Sequence, residues 1–330
     1  MTTYLKKRFS YVFALLSIMA LLVVSACSNA AEEKPAEDGE KDKAGSEETY
    51  TIQHAMGETT IEGTPKRVVI LTNEGTEALL AMGVTPVGAV ESWLGDPWYD
   101  HIQEDMKDVK SVGTESEPSL ETIASLKPDL IIGNKQRQEA VYDQLSQIAP
   151  TVFSEALRGD WKENFELYSK AVNKEKEGQQ VIADFDNRIA DLKGKLGDQL
   201  QKEVSIVRFT AGDVRIYHKD SFSGVILEQL GFARPESQNV DDFAEKNATK
   251  ERIPAMDGDV MFYFSYETGD GEATKLEEEW TKDPLFQNLN VAKAGNVHKV
   301  SDPIWNTAGG VVAANLMLDD IEKYFLEGKK

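Results

Sequence analysis

Apolar residues recur at steps of three and four between Trp161 and Leu196, which is the spacing of one face of an α-helix. No proline interrupts this stretch, and its middle, residues 173–180, is polar. A continuous helix of this length would span on the order of 50 Å, which is more than one compact lobe needs. The pattern therefore allows two interpretations, an amphipathic helix inside one domain or a rigid helix that links two lobes across a cleft.

Short apolar runs alternate with helical segments on both sides of this stretch. This alternation is typical of an α/β fold with a mainly parallel sheet. We therefore predict an N-terminal α/β lobe at 50–160, a linking helix at 161–196 and a C-terminal α/β lobe at 197–330, with a ligand cleft between the lobes. Strands are predicted at 68–71, 87–90, 130–132, 204–209, 214–217 and 260–264.

Three loops of the first lobe follow predicted strands and carry polar or aromatic residues. They contain Asn73, Trp93 and Arg137. Ligands of open α/β sheets bind outside the carboxyl ends of the strands, so these loops are expected to form one wall of the cleft.

The N-terminus has the composition of a signal sequence. Lys6, Lys7 and Arg8 precede an apolar run over Tyr11–Val24, which is followed by small residues and Cys27. The run is short for a membrane-spanning helix. Because Cys27 is the only cysteine, a disulfide within the chain is excluded. Its place predicts a lipoprotein signal in which the thiol carries the lipid; the alternative is a secreted protein with an incidental cysteine.

The signal peptide is therefore assigned to residues 1–26. Residues 27–49 are rich in Ala, Glu, Lys and Asp, and this composition predicts a flexible tether. The whole chain has a net charge of −21, and loss of three positive charges with the signal would leave the mature chain at about −24. Such an acidic chain offers no basic surface for nucleic acid, so a nucleic-acid partner is not expected.

Motifs of common enzyme classes are absent from the sequence. There is no Gly-rich nucleotide loop, no Walker A motif, no HExxH and no GxSxG. The four histidines, His54, His101, His218 and His298, lack the spacing of metal ligands. The sequence thus predicts neither an enzyme nor a metal site built from protein ligands.

Arginine is the scarce cation of the mature chain, which has only eight. Arg137, Arg208 and Arg215 lie in or beside the predicted cleft loops. The flanking aromatic residues are Trp93, Phe209, Tyr217 and Trp305. A guanidinium group is planar and matches the geometry of carboxylates, so this set predicts a cleft for an anionic, partly flat ligand. The alternatives are surface ion pairs for the arginines and core packing for the aromatics.

Five segments, taken in order, resemble the iron-siderophore substrate-binding lipoproteins of ABC importers, the group with a single helical backbone between its lobes. The resemblance covers residues 50–328 and depends on order and spacing rather than on one motif. NKQRQ and the Arg208 strand are most similar to Gram-positive receptors for citrate-containing siderophores, of the carboxylate or the mixed citrate-hydroxamate type. The segments are TPKRVVILTNEGTEALLAMGVTPVG, PSLETIASLKPDLIIGNKQRQEAVYDQLSQIAPTV, SFSGVILEQLGFARP, DPLFQNLNVAKAGNVHKV and WNTAGGVVAANLMLDDI.

The resemblance implies the class III substrate-binding fold and a role for each candidate residue. Arg137 would bind the ligand's anionic groups from the first lobe. The opposite edge and the walls would be formed by Arg208, Arg215, Tyr217, Trp93 and Trp305. Glu77 and Glu228 would be exposed carboxylates, one per lobe, that dock onto arginines of the permease.

The family also implies the ligand, the partners and the location. The ligand would be a ferric siderophore, which already saturates Fe(III), so no cofactor other than the lipid is expected. The partners would be an ABC permease and its ATPase, and the chain would be a monomer anchored at the extracellular face of a Gram-positive cell membrane. A rigid link between the lobes would limit their motion on binding.

Three alternatives remain open at the level of sequence. A haem or cobalamin receptor could use the same scaffold, with His218 or His298 as an axial ligand to haem. A manganese or zinc receptor would need several converging His, Asp or Glu ligands. A lipid-anchored adhesion or signalling module would have neither a ligand in the cleft nor a permease.

Overall fold

The computed structural model describes residues 49–328. The predicted signal peptide, Cys27 and the tether up to residue 48 lie outside the described residues. Within the described part of the chain, no helix has both the length and the apolar character needed to cross a membrane.

Twelve strands are assigned among these residues. They form a hairpin, a first five-stranded sheet and a second five-stranded sheet. The strands are β1 Thr49–His54, β2 Gly57–Glu62, β3 Val68–Ile70, β4 Gly88–Ala89, β5 Lys110–Ser111, β6 Leu130–Asn134, β7 Thr151–Ser154, β8 Val204–Thr210, β9 Asp213–Tyr217, β10 Ala244–Glu245, β11 Val260–Ser265 and β12 Val297–Lys299.

Eleven α-helices within residues 49–328 connect or cover the strands. They are α1 Asn73–Ala81, α2 Leu120–Ser125, α3 Lys135–Gln138, α4 Tyr142–Ser146, α5 Trp161–Ala171, α6 Glu175–Leu196, α7 Phe222–Leu230, α8 Glu272–Thr281, α9 Pro284–Gln287, α10 Asn290–Lys293 and α11 Val311–Glu322.

The first sheet is entirely parallel, in the order β5-β4-β3-β6-β7. Its central strands are buried on both faces, which accounts for the continuous apolar runs of β3 and β6 in the sequence. The second sheet has the order β10-β9-β8-β11-β12, in which β8, β11 and β12 are parallel and β9 and β10 are antiparallel to their neighbours. The prediction of an α/β fold is therefore confirmed.

The stretch predicted as one continuous linking helix at 161–196 is two helices that form a hairpin, so the predicted continuity is wrong, and the long helix α6 makes contacts with both lobes. Helix α5 ends at Ala171 and α6 begins at Glu175. Asn173 between them has a φ of 54°, a left-handed conformation that asparagine tolerates better than most residues. Its side-chain amide donates to the hydroxyl of Thr64 over 2.7 Å. The polar segment 173–180 thus contains the turn and the first residues of α6, rather than a span through solvent.

Helix α6 folds back along α5. The rings of Trp161 and Phe185 lie 5.2 Å apart, edge to face. A Cβ added at Gly178 would lie 2.5 Å from the Cβ of Ser169, so this glycine allows the two helices to approach closely. Helix α6 also packs against α7 and α11 of the second lobe, and with 22 residues it is roughly 33 Å long.

The largest hydrophobic core is shared by the two lobes. It runs from the first sheet through α5 and α6 to α7 and α11, and includes Phe165, Phe222 and Met317. Because this core is continuous, the two lobes are joined along the side where α5, α6 and α11 lie. The cleft opens on the other side, where the strands end.

Candidate functional site

A cavity of about 570 Å³ lies between the two lobes. Residues 74–158 of the first lobe and residues 208–309 of the second lobe contribute to its wall. This is the edge at which β3, β6 and β8 end, as expected for a ligand site of an open α/β sheet.

Each of three arginines in the cavity wall is stacked on an aromatic ring. The guanidinium carbon of Arg137 lies 5.5 Å from the ring centroid of Trp93. The corresponding distances are 4.9 Å for Arg208 over Tyr266 and 3.9 Å for Arg158 over Phe243. A cation over an aromatic face is stabilised by the ring's quadrupole, so the rings help to hold the three charges in place.

Arg137 belongs to the short helix α3, which begins as β6 ends. Gln138 holds this turn, since its side-chain oxygen accepts from the Asn134 backbone N–H at 2.8 Å and its amide donates to the carbonyls of Leu71 and Glu115. The Nε atom of Arg137 lies 3.4 Å from Oε2 of Glu115. Arg137 is therefore oriented by residues from other segments of the first lobe, namely Trp93 and Glu115.

Arg208 lies in β8 and is buried. Its Nε donates to Oδ2 of Asp302 over 2.7 Å, and the hydroxyl of Thr307 donates to the other oxygen of this carboxylate over 2.9 Å. Burial raises the pKa of Asp302, and Arg208 and Thr307 oppose that shift. Arg215 is oriented by Asp213, with 2.6 Å between Nε and Oδ2.

Arg158 and Lys246 are the least neutralised cations of the cavity. Among residues 49–328, neither has a carboxylate within ion-pair distance, and both lie over the ring of Phe243. Burial lowers the pKa of Arg158, and the positive charges of Arg137 and Arg215 lower it further. These groups repel one another, so an anion that enters the cavity would relieve the repulsion.

Glu74 is a buried acid in the wall of the same cavity. Its Oε1 accepts from the amide of Asn164 at 2.6 Å and from the hydroxyl of Tyr168 at 3.1 Å. Burial nevertheless raises the pKa of Glu74 to about 8. The group is therefore mostly protonated at neutral pH and does not offset the arginines.

The structure brings five of the seven predicted binding residues to this cavity. They are Arg137, Arg208, Arg215, Tyr217 and Trp93. Sequence reasoning missed four further cavity residues, Arg158, Lys246, Tyr266 and Phe243. Arg158 could have been found, because it follows β7 at the same edge of the first sheet as Arg137 follows β6.

The predictions that Phe209 and Trp305 line the cleft are wrong. Phe209 alternates with Arg208 along β8, so it points to the opposite face and packs against Tyr263 and Trp280. Trp305 is fully buried, with its ring 4.5 Å from that of Phe262 and its indole N–H donating to Asp320 over 2.8 Å. Both are core residues.

The prediction that Glu77 is an exposed docking residue is also wrong. Helix α1 packs between α5 and α11, and the Glu77 side chain is 0% exposed. Its Oε2 accepts from the backbone N–H of Ala313 at 2.9 Å, and its Oε1 lies 2.6 Å from Nε2 of His101. Glu228, by contrast, is exposed on α7.

The histidines do not take part in the cavity as the structure describes it. Neither His218 nor His298 is among the lining residues. His218 pairs with Asp242, and the ring of His298 packs at a tilt against the rings of Tyr324 and Phe262. No group of three or more His, Cys, Asp or Glu side chains suited to a metal occurs within residues 49–328. The geometry offers no axial ligand for haem from these two residues.

Comparison with known proteins shows which family has this architecture. The family model for periplasmic binding proteins matches residues 68–303. The chain is 54% identical to the probable siderophore-binding lipoprotein YfiY of Bacillus subtilis (strain 168), over 98% of this chain and 100% of that protein. It is 32% identical to the Fe(3+)-citrate-binding protein YfmC of the same organism, over 98% of both chains.

A solved structure agrees with these relatives. Staphylococcus aureus SirA complexed with staphyloferrin B superposes with a TM-score of 0.78 at 39% identity, over 83% of this chain and 98% of that one. These relatives are binding proteins rather than enzymes, which confirms that part of the prediction, and the class III fold is confirmed as well. The chain belongs to the periplasmic binding protein family.

Proposed function

We propose that this protein is a lipid-anchored receptor that binds a ferric siderophore of the anionic, citrate-containing class and delivers it to an ABC permease for iron uptake. The observation that carries the proposal is the charge of the cavity. Arg137, Arg158, Arg208, Arg215 and Lys246 line it, against two lining acids: Glu115, which pairs with Arg137, and Glu74, whose pKa is raised to about 8.

The cavity suits a ligand of this kind in size and chemistry. A volume of about 570 Å³ is within the usual range for a small-molecule site. A hexadentate siderophore already surrounds its iron, so the protein has to bind the outer carboxylate oxygens of the complex, and guanidinium groups do this with two parallel hydrogen bonds. The aromatic rings of Trp93, Tyr266 and Phe243 supply flat apolar surface beside the charges.

The relatives support the class of ligand. One is named as a siderophore-binding lipoprotein, one as a ferric citrate-binding protein, and SirA was solved with staphyloferrin B. On this proposal the chain is attached through lipidated Cys27 to the extracellular face of a Gram-positive cell membrane, works as a monomer and needs no protein ligand to the iron.

Delivery requires exposed contacts on both lobes. Glu228 on α7 remains our candidate in the second lobe, with its side chain 60% exposed. In the first lobe Glu77 is buried, so the candidate there is Glu121, which is exposed in the first turn of the short helix α2. The shared core of α5, α6 and α11 supports small lobe motion on binding rather than wide closure.

The test is a fluorescence titration of the full chain in detergent with ferric ligands of several classes, together with haem and cobalamin. Trp93 is the tryptophan in the cavity wall, whereas Trp98, Trp161, Trp280 and Trp305 are buried elsewhere. We expect saturable quenching by a ferric citrate-containing siderophore and loss of that signal in Trp93→Phe. Saturation by haem or cobalamin alone would overturn the proposed ligand.

A further inference from the structure

One hydrogen bond joins the two lobes at the cavity. The hydroxyl of Tyr266 donates to the backbone carbonyl of Trp93 over 3.1 Å. Trp93 follows β4 of the first sheet and Tyr266 follows β11 of the second, so these partners are 173 residues apart in the chain.

Both ends of this contact are anchored in their own lobe. The backbone N–H of Tyr266 donates to the carbonyl of Phe209 over 2.9 Å, which extends the β8–β11 ladder by one residue. On the other side, the N–H of Trp93 lies 3.4 Å from the hydroxyl of Tyr99. The N–H of Ser92 donates to the carbonyl of Pro97 over 2.9 Å and closes the loop. The hydrogen bond therefore connects two sheets rather than two free loop ends.

Each partner also carries one of the cavity arginines. Arg137 lies over the ring of Trp93, and Arg208 lies over the ring of Tyr266. Across the cavity, Arg137 thus lies on Trp93, Trp93 is hydrogen-bonded to Tyr266, and Tyr266 carries Arg208. Any change in the distance between Trp93 and Tyr266 changes the separation of the two guanidinium groups that face the ligand.

We propose that Tyr266 is a positioning residue that clasps the two lobes and fixes the spacing of Arg137 and Arg208 before a ligand arrives. Its effect on affinity rests on the proposed function, whereas the clasp itself exists without ligand. Preorganised charges do not have to be ordered on binding, so the clasp slows ligand dissociation more than it changes association.

The chain provides a matched control. The hydroxyl of Tyr50 donates to the backbone carbonyl of Ala171 over 3.0 Å, also at a partly buried site, and joins the β1–β2 hairpin to α5. Tyr266→Phe and Tyr50→Phe each remove one hydroxyl and one hydrogen bond to a carbonyl, and each keeps its aromatic ring. The two variants are therefore expected to lose similar stability, and only one of them changes the cavity.

The experiment measures both variants and the wild type in two ways. Amide hydrogen exchange in the ligand-free chain is expected to become faster over residues 92–99 in Tyr266→Phe, and near the hairpin in Tyr50→Phe. Dissociation of a ferric citrate-containing siderophore is expected to be about 3- to 10-fold faster in Tyr266→Phe, the effect of one hydrogen bond, and unchanged in Tyr50→Phe.

The outcomes separate this inference from the proposed function. Unchanged exchange over residues 92–99 in Tyr266→Phe would overturn the clasp. Faster exchange with unchanged dissociation would overturn the positioning role, as would equal acceleration of dissociation in both variants. If the wild type bound no ferric siderophore, the proposed function would fail, and the exchange measurement would still decide whether the clasp exists.

Discussion

Arg208 and Asp302 form an ion pair inside the wall of the cavity, and their side chains are only 8% and 1% exposed. The carboxylate lies in the turn that leads to the cavity residues Asn306 and Thr307. This pair connects β8 to the segment before α11, and it fixes the charged end of Arg208 at the cavity.

Removal of the carboxylate charge should therefore affect both folding and binding. In Asp302→Asn, Arg208 keeps a buried charge without a countercharge, and we expect the free energy of unfolding to fall by about 3–5 kcal/mol. Glu155→Gln is the control, since it breaks the exposed Lys135–Glu155 pair and should cost less than about 1 kcal/mol. Urea unfolding measures both, and equal losses would contradict the assigned role of Asp302.

Glu74 predicts a pH dependence of stability with a definite sign. Its pKa is about 8 in the folded chain and near the ordinary 4.5 in the unfolded chain, so the folded chain retains a proton that the unfolded chain releases. The contribution of Glu74 to stability is complete below pH 4.5 and is lost as the pH rises to 8.

The variant Glu74→Gln cannot titrate at this position. Between about pH 5 and pH 8 the wild type should lose a few kcal/mol of unfolding free energy relative to this variant. Glu163→Gln, at an exposed position of α5, should keep the pH profile of the wild type. Unfolding curves at several pH values test this, and parallel profiles for wild type and Glu74→Gln would contradict the assignment.

Phe209 and Trp93 should separate stability from binding. Phe209 is buried behind the second sheet, so Phe209→Ala should lower the free energy of unfolding by about 3–5 kcal/mol and leave the folded protein's affinity unchanged. Trp93 lies at the cavity and is partly exposed, so Trp93→Ala should mainly weaken ligand binding. Phe209→Leu serves as the milder core variant if Phe209→Ala does not fold. A loss of affinity in Phe209→Leu with full stability would return this residue to the site.

Glu77 and Glu228 should also differ in what their loss affects. Glu77→Ala leaves the N–H of Ala313 at the start of α11 without its acceptor, and we expect a loss of about 1–3 kcal/mol in unfolding free energy.

Glu228→Ala and Glu121→Ala should preserve stability and siderophore affinity and reduce uptake of the ferric siderophore by cells that carry the permease. Normal uptake in the double variant Glu121→Ala/Glu228→Ala would exclude this docking pair.

The elements that follow from local pattern were predictable from the sequence. The strand before Arg137 and the strand that contains Arg208 are mostly apolar, and the rule for the carboxyl ends of strands places both residues at one cleft. The period of two along a strand would also have placed Phe209 behind Arg208.

Other features depend on contacts between distant parts of the chain. The helical periodicity of 161–196 continues through Asn173, because the turn is made by one left-handed residue and by the fit of Gly178 against Ser169. Likewise, Glu77 lies on a helix whose neighbours, α5 and α11, come from much later in the sequence. The residues around Glu77 would be the same whether its carboxylate faced solvent or accepted a hydrogen bond from Ala313, which is 236 residues away.

The most direct test of the account is a calorimetric titration of the wild type and of Arg137→Gln/Arg158→Gln with the same ferric citrate-containing siderophore. Arg252→Gln, which lies outside the cavity and pairs with Glu245, is the matched control. We expect the wild type and the control to bind one ligand each, and the double variant to bind at least about 100-fold more weakly, because each charged hydrogen-bonding group contributes about 1.5–3 kcal/mol. Equal affinity in all three proteins would contradict an anion-binding cleft.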